Sequence, residues 1–597
     1  MAMSRTRKIV LIIGSVVLAL VLALVVGLLL LFSMFRKSEP SISSNSVLVL
    51  KVKGSLPDYV PEDALRRLFG GEDTSLTNLL MQLKKAKVDK RIGAVLLDIE
   101  MTGAGWGKAE ELRDAITDFR ASGKPIYAYM ELGLNKEYYI ALACEKIFVA
   151  PPGDLFVNGF AAEAMFFRGS LDKLGIYPDV YQIGKYKNAP DQFTRKEMSD
   201  GQREVINAIL DDLFNRYVNT IATTRHKTVE DVRALIDNAP YSAPDAQKVG
   251  LIDGANYRDE IEKELKGRLG YKDSDELRIT RADEYREIDP ESLGLNKGER
   301  IAVIYATGSI GSGKSENSPF GGQSIGSDTM AKAIDDARKD DTIKAIVLRV
   351  DSPGGSSYAS DMIWHAVELA RQKKPVVVSM GDVAASGGYY ISCNANKIVA
   401  EPSTYTGSIG IFAGKPVMTE FYKWLGITNE YVLRGKNAGL FRETEKFTPE
   451  ERDKFFGIIK STYYDEFVPK VAKGRGRNPE YIDSIGQGRV WTGAQGKENG
   501  LVDEFGGLDR AIEIAKQLAG IPVDKSIKRV ILPYPRSLFE NFFGSNDDES
   551  SIKLQQQQAA FEALPEDVRR TLQYATMLDH MKRGEAMAVM PFDLRIK

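Results

Sequence analysis

Segments of this sequence recur in the same order about 250 residues apart, which limits the chain to folds built from one unit used twice. Ala94-Val95-Leu96-Leu97-Asp98 returns as Ala345-Ile346-Val347-Leu348-Arg349. Lys124-Pro125, Met130 and Tyr138-Tyr139-Ile140 return as Lys374-Pro375, Met380 and Tyr389-Tyr390-Ile391. Gly250-Leu251-Ile252-Asp253 returns as Gly500-Leu501-Val502-Asp503. A spacing held over such a distance marks a duplicated supersecondary unit. The differences between the copies then show where chemistry was kept.

Each copy opens on an alternating strand pattern, 47–52 and 301–305, that ends in Gly-Ser-Leu or Gly-Ser-Ile. A helical stretch follows (76–86; 330–338), then a nearly continuous apolar strand (94–97; 345–348). A second helix (108–121; 360–372) leads to another buried strand (126–130; 376–380). Buried strands alternating with amphipathic helices predict an α/β fold with parallel sheets and right-handed crossovers. Charged helical segments at 257–266 and 282–287 run into a Gly/Asn-containing break near 294–298. The expected division is therefore 1–37, tip and anchor; 38–295, first repeat; 296–525, second repeat; and 526–597, a C-terminal tail. In the tail, 546–551 and 555–558 are low-complexity, and 566–582 reads as a helix with no evident chemistry.

Residues 9–32 contain no charge and are rich in Leu and Val. As a helix they would span about 36 Å, enough for a hydrocarbon core of about 30 Å. The stretch is longer than the apolar core of a cleaved signal, and no small-residue cleavage site follows closely. A retained single-pass anchor is expected. Arg5, Arg7 and Lys8 favour a cytoplasmic N-terminus, although Arg36 and Lys37 weaken that bias. The rest of the chain would then lie outside the cytoplasm.

Charge is balanced, with 80 Lys+Arg against 82 Asp+Glu, which argues against a general nucleic-acid binder. Cys144 and Cys393 alone form neither a disulfide framework nor a four-ligand zinc site. The three histidines, His226, His365 and His580, lie outside every repeated or glycine-rich element, so a Ser-His-Asp triad is not expected.

The chemistry-bearing elements sit in the second copy. Asp351-Ser352-Pro353-Gly354-Gly355 follows a buried strand, where glycines let backbone N–H groups face a crevice and can stabilise an oxyanion. Thr406-Gly407-Ser408-Ile409-Gly410 can hold a serine on a tight turn with its hydroxyl toward a substrate. Between them, Ala384-Ala385-Ser386-Gly387-Gly388 reads as small residues permitting close packing. Each is weak alone; the ordered set is much stronger. The first copy has Met101-Thr102-Gly103-Ala104-Gly105 and Val157 or Asn158 at the corresponding places, so it has no serine nucleophile there. With no suitable histidine, a lysine whose pKa burial has lowered could act as base. Composition cannot say which.

Together with Trp491-Thr492-Gly493-Ala494, these motifs resemble the signal peptide peptidase A (protease IV) family in its long, duplicated, membrane-anchored form, over roughly 9–520. The resemblance implies a fold related to the Clp protease and crotonase group and a Ser–Lys dyad whose lysine comes from the first copy. The matching segment is Gly184-Lys185-Tyr186-Lys187-Asn188-Ala189, which makes Lys187 the expected general base and Ser408 the nucleophile. Lys185 remains a rival, as does Lys436 in the twin segment Arg434-Gly435-Lys436-Asn437-Ala438. Backbone N–H groups of Gly355, Gly354 and Ile409 are the expected oxyanion donors. Asp382, where relatives often carry glycine, is expected to point away, because a nearby carboxylate would favour a charged lysine.

The resemblance further implies a serine endopeptidase acting on remnant signal peptides, a homotetramer enclosing a bowl, and no metal or organic cofactor. Its expected location is the bacterial inner membrane, with the catalytic part on the periplasmic side. Competing readings are a crotonase-like acyl-CoA enzyme and a non-catalytic membrane scaffold.

Overall fold

The computed structural model describes residues 40–60, 75–318, 322–533, 564, 586–590 and 595–596. The anchor expected at 9–32 and the helix expected at 566–582 lie outside the described residues.

In the first copy the strands are β1 (Ser46–Gly54), β2 (Ile92–Thr102), β3 (Ile126–Leu134), β4 (Lys146–Phe156), β5 (Tyr177–Ile183), β6 (Tyr241–Ser242) and β7 (Ile279–Arg281). Helix α1 (Leu76–Val88) joins β1 to β2, and α2 (Trp106–Arg120) joins β2 to β3. All of these strands except β5 form one sheet in the order β6-β4-β3-β2-β1-β7, with Gly254–Ala255 beside β4. In the second copy β8 (Glu299–Thr307), α3 (Ser327–Lys339), β11 (Ile343–Ser352), α4 (Ser357–Arg371) and β13 (Val376–Ala385) repeat that path. Strands β14 (Tyr405–Gly407), β16 (Val490–Thr492) and β17 (Ile527–Leu532) complete a sheet ordered β16-β14-β13-β11-β8-β17. Leu50 pairs with Leu97 in one sheet as Ile304 pairs with Leu348 in the other, and all four side chains are buried. Strands covered by helices on both faces need such continuous apolar runs.

The expectation of parallel sheets holds for the interior strands and fails at one edge of each sheet. Strand β6 runs antiparallel to β4, and β16 runs antiparallel to β14. Long excursions separate these partners, so the hand rule for parallel crossovers does not constrain them. Both edges are two or three residues long and turn at once into helices capped by Ser242 and Thr492. The second sheet also runs past residue 525, because β17 pairs with β8.

A third, mixed sheet binds the copies to each other. Its order is Asn317–Ser318, β10 (Gly322–Gly326), β9 (Ser309–Gly311), β12 (Gly354–Ser356), β18 (Met587–Val589), β15 (Ile411–Val417) and β5. Strand β5 of the first copy lies antiparallel to β15 of the second, from Tyr177 against Val417 to Ile183 against Ile411.

Helix α2 docks on the second copy through charged side chains. The buried Arg349 guanidinium lies 2.8 Å from Asp58 and 2.7 Å from Glu111. Glu111 also accepts from the Leu508 N–H, and Glu110 accepts from the N–H and hydroxyl of Ser403. Removing one member of a buried ion cluster leaves its partners charged and unpaired. Arg349→Met is therefore expected to lower stability by about 3–5 kcal/mol. Lys51→Met, which breaks the exposed Lys51–Glu100 pair, should stay within about 0.5 kcal/mol of the parent. Urea unfolding of the two variants checks the contrast.

Candidate active site

The third sheet determines which residues meet. Strand β5 ends at Ile183 opposite Ile411, so the chain beyond β5 passes the loop that precedes β15. That loop carries Ser408. The turn after β5 is held by the Tyr186 N–H, which donates to the Gln487 carbonyl at 2.7 Å. The Ser408 turn is held against the same neighbouring segment: its N–H donates to the Arg489 carbonyl at 2.7 Å, and the Gly488 N–H donates to the Ile409 carbonyl at 2.7 Å.

Lys187 Nζ lies 3.1 Å from Ser408 Oγ, 3.2 Å from the Ser408 carbonyl oxygen and 2.8 Å from Ser386 Oγ. A neutral amine has two N–H donors and one lone pair. Donation to the Ser386 hydroxyl and the Ser408 carbonyl uses both donors and leaves the lone pair for the Ser408 O–H. Lys187, Ser386 and Ser408 are each 0 % exposed. Burial pushes the Lys187 amine well below the ordinary lysine value of 10.5, and no carboxylate among the described residues opposes it.

Two glycines make room for this lysine. A Cβ at Gly488, where φ is +79°, would fall 2.5 Å from Lys187 Cα, and a Cβ at Gly410 would fall 3.1 Å from Lys187 Cδ. Ser408 and Ser386 themselves have positive φ, 50° and 55°. Non-glycine residues held there cost of order 1–3 kcal/mol each, and such strain gathers at functional sites.

The other expected residues distribute as follows. Lys185 is 66 % exposed and lies 3.5 Å from Glu204, and Lys436 is exposed. The Tyr186 hydroxyl, with Glu204 behind it, raises Lys185, the opposite of what a base needs. The Gly354 N–H donates to Ser352 Oγ at 3.2 Å. Gly355 is buried in β12 beside β18, and Ile409 is buried in the Ser408 turn. Asp382 accepts from the N–H groups of Gly105 and Lys108, each at 2.8 Å, and so caps α2 of the first copy. Its carboxylate is engaged there, as is Asp351, which lies 2.6 Å from Lys108 Nζ. In the first copy Val157 is buried and Asn158 exposed at the place that corresponds to Ser408.

Ser386 is the member that sequence reasoning missed. Its run of small residues reads as packing, yet its hydroxyl lies nearer to Lys187 Nζ than either oxygen of Ser408 does. A serine flanked by Ala385 and Gly387 inside a small-residue turn was the available signal, and it matched the signal used for Ser408. Gly410 and Gly488 were missed for a different reason. Their requirement comes from a lysine supplied by another part of the chain.

A Peptidase family S49 profile matches residues 118–272 and 368–522. The serine protease SPPA, chloroplastic, of Arabidopsis thaliana is 37% identical over 495 residues, covering 83% of this chain and 72% of the relative. Protease 4 of Salmonella typhi is 36% identical over 473 residues, covering 76% and 74%. Protease 4 of Haemophilus influenzae is 31% identical over 547 residues, covering 87% and 86%.

A buried lysine that is neutral in the fold but charged when unfolded leaves a pH signature. Between its lowered pKa and 10.5 the unfolded chain holds one more proton than the native chain, so native stability rises with pH. Lys187→Met removes this dependence. The variant should gain stability relative to the parent as pH falls from 10.5, with the difference shrinking as pH returns toward that value. Denaturation midpoints of both proteins across that range check the slope.

Proposed function

Because the chain belongs to peptidase family S49, with the family domain present twice, it is a serine protease, and we propose that it cuts peptide bonds with a Ser408–Lys187 dyad assembled between the two copies. One observation carries the reading: an uncharged-leaning, fully buried amine lies 3.1 Å from the hydroxyl of a serine on a strained turn. Neutral Lys187 takes the proton from Ser408 Oγ as that oxygen attacks the scissile carbonyl. The carbonyl becomes an oxyanion facing the backbone N–H groups of Gly355 and Ile409, with Gly354 beside them. The lysine ammonium then gives its proton to the leaving amine, and water resolves the acyl-enzyme. Ser386 positions the amine by accepting one of its N–H bonds.

The same reading extends to substrate and place. A fold related to the Clp protease and crotonase group, a homotetramer with an enclosed bowl, and remnant signal peptides as substrates follow from the family resemblance. The names of the Arabidopsis and bacterial relatives support the protease reading alone. Retention at the bacterial inner membrane, with the catalytic part on the periplasmic side, rests on the apolar stretch 9–32. No helix among the described residues is long and apolar enough to cross a membrane.

Ser408→Ala and Lys187→Ala are each expected to lower kcat/KM on an apolar peptide by about four to six orders of magnitude, since a nucleophile and its base act as a unit. Ser386→Ala should cost about tenfold, the worth of one hydrogen bond of about 1.5 kcal/mol. For the parent, kcat/KM should rise with pH as Lys187 loses its proton and then level off. Acylation of Ser408 by a peptide inhibitor that survives Lys187→Ala but vanishes with Lys436→Ala would overturn the choice of base.

A further inference from the structure

Residues 486–489 of the second copy grip both halves of the dyad. The Gln487 carbonyl accepts the Tyr186 N–H, and the Arg489 carbonyl accepts the Ser408 N–H, each at 2.7 Å. Between them Gly488 lies against the Lys187 backbone, where a Cβ would stand 2.5 Å from Lys187 Cα. The Arg489 N–H closes the turn on the Gly486 carbonyl at 2.9 Å. Gln487 sits at φ +53°, a conformation that a residue with a side chain rarely adopts. Such a turn keeps its shape only when its surroundings over-determine it.

The Tyr463 hydroxyl supplies that support. It accepts the Gln487 N–H at 3.1 Å and donates to Asp483 Oδ1 at 2.8 Å. Asp483 Oδ1 also accepts from the Gln487 side-chain amide. One hydroxyl and one carboxylate oxygen thus hold both the main chain and the side chain of the strained residue. Tyr463 is 0 % exposed, and burial raises its hydroxyl above the ordinary tyrosine value, so it keeps the proton it donates. Asp483 and Tyr464 are the titratable groups beside it among the described residues.

A π-helical turn aims this tyrosine. Pro449–Ser461, Thr462–Phe467 and Val468–Arg475 form one helical run, and only the middle piece is π-helical. Glu451, Phe455, Ile459, Tyr463, Phe467 and Val471 are all buried, at steps of four. In an α-helix each step of four advances about 40°, so a stripe that long would wind off the packed face. The wider π turn takes the advance back, and such turns gather at functional sites. The first copy supplies the comparison. Its Asp200–Arg225 helix occupies the corresponding place and is α-helical throughout. Arg225 and Arg475 fix the register, since each donates through Nε to the carbonyl of the twin glycine, Gly250 or Gly500, at 3.0 Å. At that offset Leu213 stands where Tyr463 does, Arg233 where Asp483 does, and Asp237-Asn238 where Gln487-Gly488 do. The copy without a serine nucleophile lacks the hydroxyl, the acid, the glycine and the π turn together.

We propose that Tyr463, backed by Asp483, is a positioning residue for the proteolytic reaction: it fixes the 487–489 turn, which sets Lys187 against Ser408 and keeps water from the amine. The proposal rests on the reading of these two as the dyad. Tyr463 touches neither reacting atom and acts through Gln487. Without its hydroxyl the Gln487 N–H has no acceptor, the turn relaxes toward negative φ, and Gly488 draws away from Lys187. Water then reaches the amine and favours its charged form.

The test assays the full chain in detergent on an apolar fluorogenic peptide, as parent, Tyr463→Phe, Asp483→Ala, Asp483→Asn and Tyr138→Phe. Tyr138 is the matched control: it is equally buried in the first copy, and its hydroxyl donates to the Leu251 carbonyl at 2.6 Å. Tyr463→Phe and Asp483→Ala should each lower kcat about tenfold, the worth of one hydrogen bond, with KM unchanged. In both, the rising limb of kcat/KM should move to higher pH by about half a pH unit or more, as the amine becomes easier to protonate. Asp483→Asn keeps the accepting oxygen and should stay within about twofold of the parent. Tyr138→Phe should lose stability as Tyr463→Phe does, yet keep the parent kcat and limb. A parent-like Tyr463→Phe, or a limb displaced equally by Tyr138→Phe, would overturn the positioning role. Ser408→Ala and Lys187→Ala, run beside them, separate the two readings. If both are inactive while Tyr463→Phe is parent-like, the dyad stands and this role falls; an active Ser408→Ala sinks both.

Discussion

A lysine amine buried without a counter-charge is the constraint on which the rest of this structure turns. Burial of a cation is costly, so it pushes the group toward its neutral form. That outcome requires every carboxylate near the seam between the copies to be engaged elsewhere. The seam is rich in such groups. Asp58, Glu111, Asp351 and Asp382 all lie along it, and each is held by Arg349, Lys108 or the start of α2. Burial opposes the charge on Lys108, but its three carboxylate neighbours outweigh burial and hold it protonated. Two lysines of the first copy thus meet the second copy in opposite states. Lys108 is held toward its charged form among acids, and Lys187 is pushed toward its neutral form among hydroxyls and glycines.

The duplication explains why one seam can do both. Each copy builds the same sheet from the same register, and the third sheet then sets β5 of one against β15 of the other. The first copy contributes the amine, and the second contributes the serine and the glycine turn. In the first copy the turn that corresponds to Ser-Pro-Gly-Gly is filled by Asp382 reaching across to Gly105 and Lys108. Asp382 therefore has a structural use, as a cap on α2, and its carboxylate is spent there.

The repeat, the order of strands and helices, and the glycine elements were legible in the sequence because periodicity and small-residue runs are local signals. The first-copy strands at 94–97 and 126–130 sit within β2 and β3. The antiparallel edges β6 and β16 were not legible, since two- or three-residue strands carry no period. The choice of Lys187 came only through the family resemblance. A lysine sequence position says nothing about burial, and what distinguishes Lys187 from Lys185 is which of them lies under Gly410 and Gly488. Ser386 was hidden in plain composition, because a serine among alanines and glycines reads as packing until a partner from 199 residues away reaches it. The C-terminal strand was equally silent. Three residues, Met587–Val589, pair with segments more than 170 residues distant, and no local pattern announces that.

The protonation state of Lys187 can be measured directly by nuclear magnetic resonance of the protein with isotope-labelled lysine Cε, the Lys187 signal being the one lost in Lys187→Met. Its titration midpoint is expected well below 10.5. A midpoint at or above 10.5 in the folded protein would contradict a neutral amine beside Ser408.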